Sequence, residues 1–227
     1  MGRFGRFFQS SIGAKVTMAV TGILLFLWIL GHLLGNLLIF AGRDATNAYA
    51  HGLRQMPALL WAARLGLLVV FVLHVVSAYR VWRQNRASRP QGYAVYDPAS
   101  ATYAGRTMMV SGVLVLLYAA YHLLHFTFGV TNPEYWTMFD PQGRPDVYSM
   151  VVQGFSNAAV SAAYIVAMAL LGFHLSHGVT SFFQTLGYRN TYQNAFTRRL
   201  GPASAVVIAL GFISIPLAVL SGLLKLP

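Results

Sequence analysis

The sequence predicts an all-α integral membrane protein, a bundle of five transmembrane helices, and three observations carry that prediction. Hydrophobic residues make up 56% of the chain and charged residues only 9%. The polar residues gather into a few short segments instead of alternating with apolar ones as in a soluble domain. Five windows are long enough to cross a hydrocarbon core about 30 Å thick, which takes roughly 20 mostly apolar helical residues. They are rich in Leu, Ala, Gly and Val and lack the period-two alternation of a transmembrane barrel.

The windows fall near 15–40, 58–83, 106–129, 154–183 and 203–224. The first contains an apolar run far longer than the core of a secretion signal and no A-x-A-like site follows it, so it is expected to be retained. Trp61, Trp82 and Trp136 fall near the expected ends of spans, where an aromatic belt forms. The connections are short, the longest being about 23 residues around NPEYWTMFDPQGRPD. Residues 1–227 therefore read as one transmembrane unit with no separate soluble domain, no internal repeat and no low-complexity tract.

Charge sets the expected orientation. With the N-terminus cytoplasmic, that side collects Arg3, Arg6, Lys15, Arg80, Arg83, Arg86, Arg89, Arg106, Arg189, Arg198 and Arg199, against Arg43, Arg54, Arg64, Arg144 and Lys225 opposite. Eleven against five obeys the positive-inside rule. The net charge of +11 then reflects topology and anionic headgroups, and no nucleic acid is expected, because the arginines are scattered without a nucleic-acid motif. Of the acids, Asp44, Glu134, Asp140 and Asp146 lie on the far side and Asp97 on the near side, so no carboxylate falls within a span. The chain has no cysteine, which excludes disulfides, thiolate metal sites, iron–sulfur ligation and covalent haem attachment. Dinucleotide, P-loop and hydrolase motifs are also missing.

What remains is histidine. His32 lies in the first window, His74 in the second, His122 and His125 in the third, His174 and His177 in the fourth; His51 lies in the first far-side loop. Ionisable residues inside a membrane are costly and usually functional. For one such ring a hydrogen bond to a neighbouring helix is sufficient explanation, but four helices each supply one. At about 1.5 Å per residue, His32 and His122 lie roughly 25 Å and 24 Å from the cytoplasmic ends of their spans, and His74 and His174 about 14 Å. Two levels result, each taking one imidazole from each of two helices, the arrangement that holds a flat macrocycle between two axial nitrogens. His125 would sit about 4 Å too far outward and His177 about 4 Å too near the cytoplasm, an offset similar to the error of the window ends, so both stay as alternative ligands.

Gly31 and Gly35 flank His32, Gly172 and Gly178 lie by His174 and His177, and Gly112 shares the span of His122; small residues allow close approach of helices or of a planar group. Each ligating ring should donate its other N–H to a carbonyl or hydroxyl, for which Thr17, Thr21, Ser77, Ser111 and Ser176 are available. Two histidine ligands leave no open position for oxygen or substrate, which suits one-electron transfer, and without cysteine the haems would be b-type.

The stretches SIGAKVTMAVTGILLFLWILGHLLGNLLIFAG, NAYAHGLRQMP, RASRPQGY, RTMMVSG, YHLLHF and FHLSHGVTSFFQTLG together resemble the cytochrome b subunit of the dihaem succinate dehydrogenase or fumarate reductase family, from Ser11 to about Arg199. The resemblance implies a four-helix core with two b haems that anchors a flavoprotein subunit and an iron–sulfur subunit on the cytoplasmic face of a bacterial inner membrane. It implies electron exchange with menaquinone or ubiquinone and admits a homotrimer of the complex. The chain alone would carry no succinate site. His74 and His174 would ligate the haem nearer the iron–sulfur subunit, and His32 and His122 the distal one. FHLSHG resembles family sequences that keep the first histidine, which favours His174. The sequence lacks intramembrane carboxylates of the kind some dihaem members are thought to use, so proton exchange near a distal quinone would fall to Asn36, Tyr49 or His51. Two other readings use the same histidines: a quinone-side cytochrome b of a hydrogenase or formate dehydrogenase, and a haem-free histidine-based transporter. Co-purifying subunits separate the first of these, and a reduced-minus-oxidised spectrum the second.

Overall fold

The computed structural model describes residues 7–8, 10–88, 103–187 and 195–226. Arg3, Arg6, Arg89, Asp97 and Arg189 lie outside the described residues, as do most of RASRPQGY and the side chain of Arg198. Helix α1 is Ser11–Leu37, prolonged by a 3-10 turn at Leu38–Ala41. Helix α2 is Arg43–Arg54 and α3 is Pro57–Ala87. A single turn at Tyr103–Arg106 precedes α4, Met108–His122, which widens into a π-turn at Leu123–Thr127. Helices α5, Val147–Ser156, α6, Ala158–Thr185, and α7, Ala195–Leu220, complete the order. Among the described residues five helices are long and apolar enough to cross a membrane, so the chain is an all-α membrane bundle.

Local chemistry sets the helix ends. The Ser10 hydroxyl accepts the Gly13 N–H at 2.9 Å and starts α1. Pro57 begins α3, where its missing N–H costs nothing. Gly42 adopts φ +100°, a conformation that disfavours any side chain, and turns the chain from α1 into α2. Two features depart from the sequence expectation. The fourth span does not run from 154: Asn157 is extended, and its side chain caps α6 by accepting from Ala159 and Val160, so α5 is a separate helix. The first far-side loop is itself helical, as α2, whose short polar sequence gives no spanning signal.

Helices α6 and α7 form the most extensive pair, and α1 packs along α3 and against α6. A core of Leu33, Met168, Leu171, Leu175, Ala205 and Ile208 joins α1, α6 and α7. Gly211 belongs to this contact, since a Cβ there would stand 2.9 Å from Leu33 Cδ1. By contrast, the apolar stretch of α3 contributes no buried residue, and its outer face presents Leu65, Leu68, Val69, Val72 and Val76 to lipid.

At the face opposite the N-terminus, α2 and the segment before α5 are joined by a polar clasp. Asn47, fully buried, donates to Asp140 Oδ2 at 3.1 Å and Asp146 Oδ1 at 2.9 Å, and its carbonyl accepts the Tyr148 N–H. Arg43 donates to Asp146 Oδ2 at 3.0 and 2.6 Å, and Arg144 links Asp140 to Asp44. Burial alone would raise the Asp146 carboxyl, but hydrogen bonds from Arg43, Ser149 and Asn47 prevail and hold it at about 2. Its stabilising contribution is therefore complete above the ordinary carboxylate value of about 3.9 and fades as pH falls toward 2. Asp146→Asn should destabilise by about 1–3 kcal/mol, because Arg43 loses the carboxylate oxygen it bonds and meets an amide donor in its place. In detergent melts the wild type should lose melting temperature between about pH 4 and 2, with the variant lower at neutral pH and flatter across that range.

Candidate functional site

Four helices bring four imidazoles together in two pairs. His32 on α1 meets His122 at the end of α4, with ring centroids 6.0 Å apart and planes at 80°. His74 on α3 meets His174 on α6, with centroids 6.5 Å apart and planes at 74°. Among the described residues no three His, Asp or Glu side chains converge as a bare metal ion would require; the rings meet in twos. With about 2 Å for each metal–nitrogen bond and roughly 1 Å from nitrogen to ring centre, two imidazoles on opposite sides of one iron have centroids about 6 Å apart. Both pairs fit that separation.

The His74–His174 pair is held from behind by matching groups. Thr21 Oγ1 and the Met18 carbonyl lie 3.2 Å from His74 Nδ1, and Ser111 Oγ lies 3.3 Å from His174 Nδ1. The glycine after each hydroxyl residue lies against the ring: a Cβ at Gly22 would crowd His74 Cε1 at 3.3 Å, and one at Gly112 would be in ordinary contact with His174 Cε1 at 3.5 Å, leaving space there for no larger side chain. Fixing Nδ1 selects Nε2 as the atom offered to the partner ring. The dipeptides Thr21-Gly22 and Ser111-Gly112 each begin eleven residues before a histidine on the same helix, His32 and His122. Eleven residues are close to three turns, so each of α1 and α4 presents a hydroxyl and a glycine to one pair and an imidazole to the other on one face. That shared spacing is the signal in the sequence that marks these positions. Of the other available hydroxyls, Thr17 bonds the Gly13 carbonyl and Ser176 the Phe173 carbonyl.

The second pair is walled by aromatic rings. Trp28 stacks on His32 at 4.8 Å, and Tyr118 and Tyr164 lie 5.9 and 6.1 Å from His122. His122 Nδ1 is buried without a hydrogen-bond partner. Asn36 donates to the His32 carbonyl at 2.7 Å and lies 3.3 Å from His32 Nε2. The alternative histidines are engaged elsewhere. His125 lies between Tyr164, 2.9 Å from Nδ1, and Tyr135, 3.5 Å from Nε2, while His177 Nε2 is 2.8 Å from the Ser181 hydroxyl.

The glycines divide as well. Besides Gly112, Gly35 lies against the Tyr49 ring and Gly172 against α7, whereas Gly31 and Gly178 face open space. Near the end of α1 Asn36 thus bonds back to His32 and Tyr49 lies on Gly35, while His51 turns to Gln55, 3.0 Å away. A cavity of about 170 Å³ opens at the same end. His125, Tyr135, Trp136, Arg54 and Asp146 are among its lining residues, and Asn36, Tyr49 and His51 are not. Burial, with the Glu134 charge and Tyr121 adding to it, pushes the Tyr135 phenol up to about 12, which keeps its proton available.

The model of the succinate dehydrogenase/fumarate reductase transmembrane subunit family matches residues 83–218, more than half of the chain. The chain belongs to this family. The matched region contains His122 and His174, and the fold brings His32 and His74, which precede it, against those two rings. Comparison with curated proteins gives no match, and comparison with solved structures gives none. Membership makes the chain the membrane subunit type of an oxidoreductase complex, with haem and quinone as its usual companions. Gly112→Leu should drive the His174 ring off its position and widen the His74–His174 separation beyond 6.5 Å, to be measured in a structure of the variant.

Proposed function

We propose that the chain is the dihaem cytochrome b anchor of a succinate:quinone oxidoreductase, passing electrons between an iron–sulfur subunit and membrane quinone. The observation that carries the reading is the pair of facing imidazoles at each of two sites, both at a separation that suits one iron. His74 and His174 would hold one b haem, on the side of the N-terminus, and His32 and His122 the other. Such haems would supply one-electron transfer, with these four histidines as the residues that would hold them.

The chain's own residues do the positioning. Thr21 and Ser111 fix the tautomer and tilt of the rings they touch, and Gly22 and Gly112 keep the ring edges free. The engagement of both His125 nitrogens by tyrosine hydroxyls, and the meeting of His174 rather than His177 with His74, support His122 and His174 as the ligands. The cationic residues Arg80, Arg83 and Arg86 near the end of α3 suit a cytoplasmic face on which a flavoprotein and an iron–sulfur subunit dock, with the N-terminus on that side of a bacterial inner membrane. Quinone would exchange at the opposite end, near Asn36 and Tyr49; the turn of His51 toward Gln55 makes it the weakest of the three.

Optical redox spectra of the purified complex test the reading. His32→Ala or His122→Ala should remove one b-type signal and His74→Ala or His174→Ala the other, while His125→Ala and His177→Ala should keep ligation of both. Full retention of both signals in the first four variants would sink it. Thr21→Val should weaken haem retention at the His74–His174 pair by about 10–100-fold, the usual cost of removing a group that orients a metal-bound histidine, as measured by haem loss to an acceptor protein.

A further inference from the structure

Helix α4 does not continue as a regular helix through its two histidines. In an α-helix residues three apart share a face, about 60° from each other around the axis, and His125 would point toward the same neighbours as His122. Instead the backbone widens over Leu123–Thr127, where the Phe128 N–H bonds the Leu123 carbonyl five residues back at 2.7 Å. The Val130 N–H reaches the Leu124 carbonyl at 2.8 Å. His125 leaves this turn buried, 1% exposed, stacked on Tyr121 at 5.5 Å and against Phe126 at 4.0 Å.

Both nitrogens of His125 face tyrosine hydroxyls from other elements: Tyr164 from α6 at 2.9 Å and Tyr135 from the loop after α4 at 3.5 Å. A neutral imidazole has one donor and one acceptor, and a phenol serves as either, so the three groups satisfy one another. The phenol of Tyr135 keeps its proton, as burial demands. His122, one residue before the widening, keeps its Nδ1 buried without a partner and its ring 6.0 Å from His32. A π-turn is rare in helices and recurs at functional sites; a wide turn at this position needs side chains that hold it.

We infer that His125, Tyr164 and Tyr135 are positioning residues: they lock the π-turn so that α4 offers one imidazole, His122, to His32 and withholds the other. The inference rests on the reading of His32 and His122 as an axial pair. The lock reaches both α6 and the loop, so the direction of the His122 ring depends on groups that never touch the iron.

Redox titration and low-spin haem electron paramagnetic resonance of the intact complex provide the test, with the two signals assigned by His32→Ala and His74→Ala. Tyr164→Phe removes a single oxygen, and His125→Leu removes both ring nitrogens. Each should shift the signal and potential of the His32–His122 site by about tenfold in redox equilibrium, some 59 mV for one electron, and leave the His74–His174 site in place. His125→Gln, which retains a donor and an acceptor, should restore much of the native value. Unchanged signals in Tyr164→Phe and His125→Leu would overturn the inference, as would equal loss at both sites in Tyr164→Phe, because the lock is local to one pair. A wild-type complex without two low-spin signals, or retention of both in His32→Ala, would instead overturn the axial-pair reading.

Discussion

The absence of water from the hydrocarbon region governs this molecule: a polar side chain buried there must be answered by another group of the protein or by something the protein binds. Histidine makes the demand twice over, since its two nitrogens need partners of opposite kind. The structure answers it unevenly. His125 has both nitrogens facing hydroxyls, and His74 and His174 have Nδ1 anchored while their rings meet each other. His122 is left with an orphaned Nδ1 while its ring faces His32. His125 is thereby set apart from the four paired rings by having a hydroxyl at each nitrogen.

Much of this was legible in the sequence, for a physical reason. Apolar windows must match bilayer thickness, so the five spans follow from length and composition, and helical rise converts position into depth, which placed His32 with His122 and His74 with His174. The helix through His122 and His125 was not legible to the same degree, because a π-turn adds no compositional mark; Leu123, Leu124 and Phe126 suit a regular helix equally well. The break at Asn157 was hidden within an apolar run and depends on one side chain accepting from two backbone amides. Helix α2 was missed because its stability comes from Asn47 and Arg43 meeting acids a hundred residues later, a contact that local pattern cannot contain. Gly22 needed a partner as well: nothing in its own helix says that a ring from α3 lies over it.

The clasp of Arg43, Asn47, Asp140, Asp146 and Arg144 ties α2 to the segment before α5. Loop residues would otherwise be free to slide, and Tyr135, which reaches down to His125, belongs to the same segment. That face and the His125 ring are thus joined through a few hydrogen bonds, with Asp140 and Asp146 held below the ordinary carboxylate value.

The division of labour between α1 and α4 bears on electron flow. Each of these helices touches both imidazole pairs along one face, at positions eleven residues apart, which is about 16 Å of helix rise. A gap between the pairs set by loops would breathe with them; here two continuous rods act as the ruler, and in the proposed dihaem reading the step between the two sites would be written into backbone geometry.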